Sequence, residues 1–195
     1  MRASTRREFI RGPAGRIECA VDDPAASARG VALIAHPHPL FGGTLDNKVV
    51  QTLARVFVDL GYETWRPNFR GVGQTEGVHD EGRGELEDLH EVGKTVNATV
   101  LAGFSFGAAV VGQLAQRIKP ERMVLVGLGV NRLAVPNVPA DTLVIHGEND
   151  DTVPLAVVLD WARPQELPVV VVPGADHFFH RKLQVLRTIV QSNWK

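Results

Sequence analysis

The chain has 195 residues, 44% of them hydrophobic and 22% charged, which fits one globular domain over residues 1–195 and excludes disordered and collagen-like classes. Its single cysteine, Cys19, excludes an intrachain disulfide and a zinc cluster of cysteines. A formal charge of −1 carries no footprint for nucleic acid or an anionic membrane.

The chain opens with a lure. Thr5-Arg6-Arg7-Glu8-Phe9-Ile10-Arg11 has the look of a twin-arginine export signal, but the apolar stretch that should follow is replaced by Gly12-Pro13-Ala14-Gly15-Arg16 and then Glu18, Asp22 and Asp23. Residues 5–22 instead read as an antiparallel hairpin at one edge of a sheet. No run approaches the roughly 20 apolar residues of a membrane span, so a cytoplasmic location without membrane partners is expected.

Short apolar runs then alternate with helical patterns, the signature of a mostly parallel sheet flanked by helices. Val31 to Ala35 reads as a buried strand. Val49, Val50, Leu53, Ala54, Phe57, Val58 and Leu60 recur at helical spacing before Gly61 stops the helix. Tyr62 to Pro67 is the next strand, followed by a glycine-rich loop from Gly71 to Gly84 and a short acidic helix around Glu85 to Glu91. Its shortness predicts a thinner edge beside it. Thr99 to Ala102 is a strand and Phe106 to Ile118 a helix. Met123 to Leu128, Leu143 to Ile145 and Val169 to Val172 complete the strands, and the last helix covers about Arg181 to Gln191. Only a loop fits between Leu128 and Leu143, so no cap domain is expected and the site should be open.

One of only four serines lies in Gly103-Phe104-Ser105-Phe106-Gly107, after a predicted strand and before a predicted helix. That context defines a nucleophile elbow: the glycines permit a turn too tight for side chains, which exposes the serine hydroxyl. A serine hydroxyl needs a base to take its proton and a carboxylate to orient that base. Of the seven histidines, His177 sits on a loop after the last strand, three residues before His180 at the start of the final helix. His79 and His90 fall in the polar middle region and are expected to be solvated. The acid should lie between serine and histidine in chain order. Asp150 and Asp151, in His146-Gly147-Glu148-Asn149-Asp150-Asp151-Thr152-Val153-Pro154, both qualify, and spacing alone does not separate them. Asp176 adjoins His177, and adjacent side chains diverge.

Two other patterns compete for a function. His36 and His38 alternate as metal ligands can, but they lack a third ligand, and no metal is expected. Gly71, Gly73 and Gly77 are spaced G-x-G-x-x-x-G, without the prompt helix of a dinucleotide loop.

Taken together, His36-Pro37-His38-Pro39-Leu40-Phe41-Gly42-Gly43, Asn68-Phe69-Arg70-Gly71-Val72-Gly73, the Ser105 elbow, the His146 to Pro154 segment and Pro173-Gly174-Ala175-Asp176-His177-Phe178 resemble a small bacterial α/β-hydrolase of the lidless group, with dienelactone-hydrolase-like proportions. The resemblance implies an α/β-hydrolase fold and a Ser105, Asp150 and His177 triad, Asp150 through the pattern H-G-E-x-D-x-x-V-P. It also implies an oxyanion hole made by the backbone N–H of Phe106 and a second donor at the position of His38. There the chain departs from the family, whose His-Gly pair is His36-Pro37 here, and proline has no N–H. Leu40 and Phe41 are the other nearby donors.

The expected activity is that of a serine hydrolase, carboxylesterase-like, cleaving a small-molecule ester or thioester through an acyl-enzyme without a cofactor. Leu40, Phe41, Phe104 and Phe178 are the expected substrate lining. A peptidase or acyltransferase would use the same triad, and a non-catalytic binding protein could retain the fold.

Overall fold

The computed structural model describes residues 5–194. In chain order it contains β1 (Arg6–Gly12), β2 (Gly15–Asp22), β3 (Val31–Ala35), α1 (Lys48–Asp59), β4 (Glu63–Pro67), α2 (Arg83–Thr95), β5 (Val100–Phe104), α3 (Phe106–Leu114), β6 (Arg122–Val126), β7 (Leu143–Gly147), α4 (Leu155–Ala162), β8 (Val169–Val172) and α5 (Leu183–Asn193). The eight strands form one sheet in the order β1-β2-β4-β3-β5-β6-β7-β8. β1 and β2 are antiparallel, as is the β2–β4 pair, and every pair from β4 to β8 is parallel. The segment that imitates an export signal is thus the edge strand β1.

The inner strands read as unbroken apolar runs because both faces of the sheet are covered. Alternate residues serve opposite cores: Ala32, Ile34, Val100, Ala102 and Phe104 pack with α1 and α5, while Leu33, Ala35, Leu101 and Leu125 pack with α2 and α3. Helix α1 begins where Asn47 Oδ1 accepts the N–H groups of Val49 (2.9 Å) and Val50 (3.4 Å), a side-chain cap for groups that lack helical partners. It buries Val49, Val50, Leu53, Ala54, Val56 and Phe57. Helix α3 is buried almost all round, so its amphipathic signal is weak.

Two helices differ from expectation. Helix α3 ends at Leu114, short of Ile118. Helix α2 runs from Arg83 to Thr95, longer than the acidic stretch Glu85 to Glu91, and it packs on α3 and β1. Its inward face carries Glu85 and Asp88, so hydrophobic spacing does not reveal it. Arg70 compensates for Asp88 with two 2.8 Å hydrogen bonds, from Nε and Nη2. The edge beside α2 is therefore braced by a buried ion pair. Between β6 and β7 the chain runs without a helix, and nothing is inserted there to cover the carboxyl ends of the strands.

Candidate active site

Ser105 occupies the turn from β5 to α3 with φ 57° and ψ −119°, a conformation that a residue with a Cβ adopts only under constraint. The constraint comes from its neighbours. The Ser105 N–H donates to Val126 O at 2.9 Å, and its carbonyl accepts from Ala109 and Gly129, each at 3.2 Å. A Cβ on Gly107 would lie 2.3 Å from His36 O, and one on Gly103 would lie 2.6 Å from Gly107 O. The two glycines of the motif are thus contact requirements. They let the start of α3 press against the end of β3.

The Ser105 Oγ lies 2.9 Å from His177 Nε2, and His177 Nδ1 lies 2.7 Å from Asp150 Oδ2. A carboxylate only accepts, so Nδ1 carries the proton and Nε2 is left to accept from the serine hydroxyl. The second carboxylate oxygen of Asp150 accepts the N–H groups of Val153 (2.8 Å) and Thr152 (3.0 Å). All three side chains are buried. Asp151, the neighbour that spacing could not exclude, is exposed. Asp176 turns instead to His180, whose Nδ1 lies 2.6 Å from Asp176 Oδ2 at the surface.

The loops carrying Asp150 and His177 are stitched together. Asn149 N–H donates to Ala175 O at 2.9 Å, Glu148 N–H to Val172 O at 3.1 Å, and Gly174 N–H to Glu148 Oε2 at 2.8 Å. His146, buried beneath the acid loop, gives its Nε2–H to Val153 O at 2.8 Å, and burial lowers its pKa. It supports the same residue whose N–H holds Asp150.

The segment after β3 folds into a single 3-10 turn, Pro39–Phe41, capped by His38. Leu40 gives its N–H to His38 Nδ1 at 3.3 Å, and Phe41 gives its own to His38 O at 3.1 Å. Pro37 and Pro39 have none to give. Of the donors in this stretch, the His38 N–H meets no acceptor among the described residues, and neither does the Phe106 N–H at the first position of α3. The ring of His38 lies 4.7 Å, centroid to centroid, from that of Phe106.

His36 is fully buried, and both its ring nitrogens are engaged: Phe69 N–H donates to Nε2 at 2.9 Å, and Nδ1 donates to Pro37 O at 2.7 Å. Burial lowers its pKa to about 4, so it stays neutral. It ties the end of β3 to the chain leaving β4. Among the described residues no group of three or more His, Cys, Asp or Glu side chains is arranged to hold a metal ion.

Three of the four expected lining residues are at the surface: Leu40 is 67% exposed, Phe41 73% and Phe178 47%. Phe104 is not. It is fully buried, with its ring 4.9 Å from that of His177, and it packs against that imidazole. A phenylalanine next to the elbow serine on a buried strand points into the core, because successive side chains alternate faces. His79, expected to be solvated, is instead half-buried. Its Nδ1 lies 2.8 Å from Glu85 Oε1. The signal for this was Glu85 itself, a glutamate at the third position of a helix, where it caps by accepting the Gly82 N–H at 2.8 Å.

No protein-family model matches the chain. It is 32% identical over 198 residues to an uncharacterised protein of Rickettsia prowazekii, a match that spans 90% of this chain and 83% of that one. An α/β serine hydrolase without a lid from Xanthomonas campestris superposes with a TM-score of 0.91 at 36% identity, over 97% of this chain and 93% of its own. An α/β serine hydrolase homologue from Coxiella burnetii gives 0.87 at 36% identity, over 97% of each chain. With 36% identity over nearly the whole of both solved structures and no helix between β6 and β7, the chain belongs to the α/β serine hydrolases without a lid.

Proposed function

We propose that the protein hydrolyses a small-molecule ester or thioester through an acyl-enzyme, with Ser105 as nucleophile, His177 as general base and acid, and Asp150 as the group that fixes the imidazole. The observation that carries this reading is the unbroken hydrogen-bonded line from Asp150 Oδ2 through His177 to Ser105 Oγ, at 2.7 and 2.9 Å. Ser105 Oγ attacks the carbonyl carbon while His177 Nε2 takes its proton. The tetrahedral oxyanion is held by the N–H groups of Phe106 and His38, which meet no acceptor among the described residues. His177 then returns the proton to the departing alkoxide or thiolate, and water, activated by the same imidazole, releases the acid. This scheme needs no cofactor.

Preorganised donors aimed at a developing oxyanion are worth about 3–4 kcal/mol each in the transition state. The exposed side chains of Leu40, Phe41 and Phe178 give an apolar rim on which the acyl or leaving group can rest. The test is turnover of p-nitrophenyl acetate and butyrate by the wild type and Ser105→Ala. Turnover that depends on Ser105 is expected; equal rates in the two proteins would contradict the proposal.

A further inference from the structure

The reaction scheme leaves a half-buried histidine beside the elbow without a task. His79 leaves the glycine-rich loop between β4 and α2, and its side chain is only 12% exposed. Behind it stands Glu85, fully buried in the first turn of α2. The Glu85 carboxylate accepts the N–H groups of Asp80 (2.9 Å) and Gly82 (2.8 Å). It is thereby anchored by its own chain, much as Asp150 is. His79 Nδ1 lies 2.8 Å from Glu85 Oε1, at ion-pair distance though off the line of a hydrogen bond.

What the imidazole meets in front is aromatic. Its ring centroid lies 4.8 Å from that of His38 and 5.7 Å from that of Phe106, and those two rings lie 4.7 Å from each other. Three rings from three different parts of the chain thus form one cluster. Two of them belong to the residues whose backbone N–H groups are left to face an oxyanion. His38 needs such outside support. Prolines flank it on both sides, so the backbone of its own turn holds it only through what its carbonyl and ring accept from Leu40, Phe41 and Gly43. Phe106, by contrast, is set rigidly at the start of α3. A ring wedged against both fixes the spacing between a loop residue and a helix residue.

We propose that His79 is a positioning residue of the hydrolytic site: backed by Glu85, its imidazole locks the rings of His38 and Phe106 and so sets the gap between the two oxyanion donors. This rests on the serine hydrolase reading above. Its consequence falls on the transition state, because the oxyanion and not the ground-state carbonyl needs both donors at once. Among the described residues no hydrogen bond or ion pair joins His79 to Ser105 or His177, so the basicity of the triad is left to Asp150.

The experiment compares full-length wild type with His79→Ala, His79→Phe and His79→Asn. It uses p-nitrophenyl butyrate turnover and inhibition by an aryl trifluoromethyl ketone, which adds Ser105 Oγ to its carbonyl carbon and leaves a hemiketal oxyanion. Misplacing a donor by a fraction of an ångström predicts that His79→Ala lowers kcat by roughly ten- to a hundredfold. KM should stay within about twofold, ketone affinity should fall by the same factor as kcat/KM, and the acidic limb of the pH profile should stay in place. His79→Phe, which keeps a ring in the wedge, should recover most of the loss, and His79→Asn should not. Unchanged kcat and ketone affinity in folded His79→Ala would overturn the proposal, as would a rise in KM alone or a moved acidic limb. If His79→Ala does not fold, the other two decide: equal activity in Phe and Asn, or the reverse order, overturns it. Wild-type turnover that does not depend on Ser105 would instead remove the hydrolase reading itself.

Discussion

Two histidine–carboxylate pairs touch the nucleophile elbow, His177–Asp150 through Ser105 and His79–Glu85 through the ring of Phe106. Both carboxylates are anchored in the same way, each accepting two backbone N–H groups from its own loop. They differ in what the imidazole meets on its far side. His177 presents Nε2 to a hydroxyl at 2.9 Å, whereas His79 lays its ring against two other rings. A third pair, His180–Asp176, has a comparable 2.6 Å contact but stands in solvent and faces no reacting group. Pairing alone therefore does not single out a candidate base. The partner on the second nitrogen does.

Disabling the first pair and its serine is expected to have the largest effect. Ser105→Ala is expected to lower kcat for p-nitrophenyl butyrate by about 10⁴-fold or more, and Asp150→Asn by about 10⁴-fold, since an amide cannot hold the imidazole in the productive tautomer. A loss in Asp150→Asn no larger than in Asp176→Asn would erase the distinction between the pairs.

Next in size is the support beneath His177. Phe104 is fully buried with its ring against the imidazole, so Phe104→Ala should cost about 3–5 kcal/mol of stability in urea unfolding. A cost near zero would return Phe104 to the substrate surface.

The support beneath the His38 loop should show as pH dependence. His36 is neutral in the fold, with a pKa lowered from 6.5 to about 4 by burial. Above pH 6.5 the ring is neutral in both folded and unfolded chains, and the folded state keeps its full advantage. As pH falls towards 4, the unfolded chain binds a proton that the folded chain refuses, and stability drops. At about 1.4 kcal/mol per pH unit the loss amounts to about 3 kcal/mol. The stability difference between wild type and His36→Gln, followed by urea unfolding from pH 7.5 to 4, should shrink by that amount as pH falls. A constant difference would show that burial does not hold His36 neutral.

The smallest effect is expected at the surface pair. Asp176→Asn should leave kcat/KM within about twofold of wild type and the midpoint of thermal unfolding nearly unchanged, as exposed pairs contribute little.

Much of this molecule was legible in the sequence wherever apolar periodicity or a strict turn carried the signal. The buried runs from Val31 to Val172 became parallel strands, and the hairpin of residues 5–22 became the antiparallel edge. Ser105, Asp150 and His177, which occupy three separate loops, came together at hydrogen-bonding distance. What stayed hidden was polar and buried. Helix α2 turns Glu85 and Asp88 inward, so its charges resemble a solvated face until Arg70 and the Asp80 and Gly82 N–H groups are seen to satisfy them. His79 was lost for the same reason, because the partner that buries it looked like a surface glutamate. Phe104 erred in the other direction: its place beside the nucleophile suggested a lining residue, while strand alternation sends it to the core.

If Ser105 is the nucleophile of a working triad, covalent labelling with a fluorophosphonate followed by peptide mapping will find it. A single adduct on Ser105 is expected, absent in Ser105→Ala and formed far more slowly in Asp150→Asn. A folded wild-type protein that takes no label, or takes it at another residue, would contradict it.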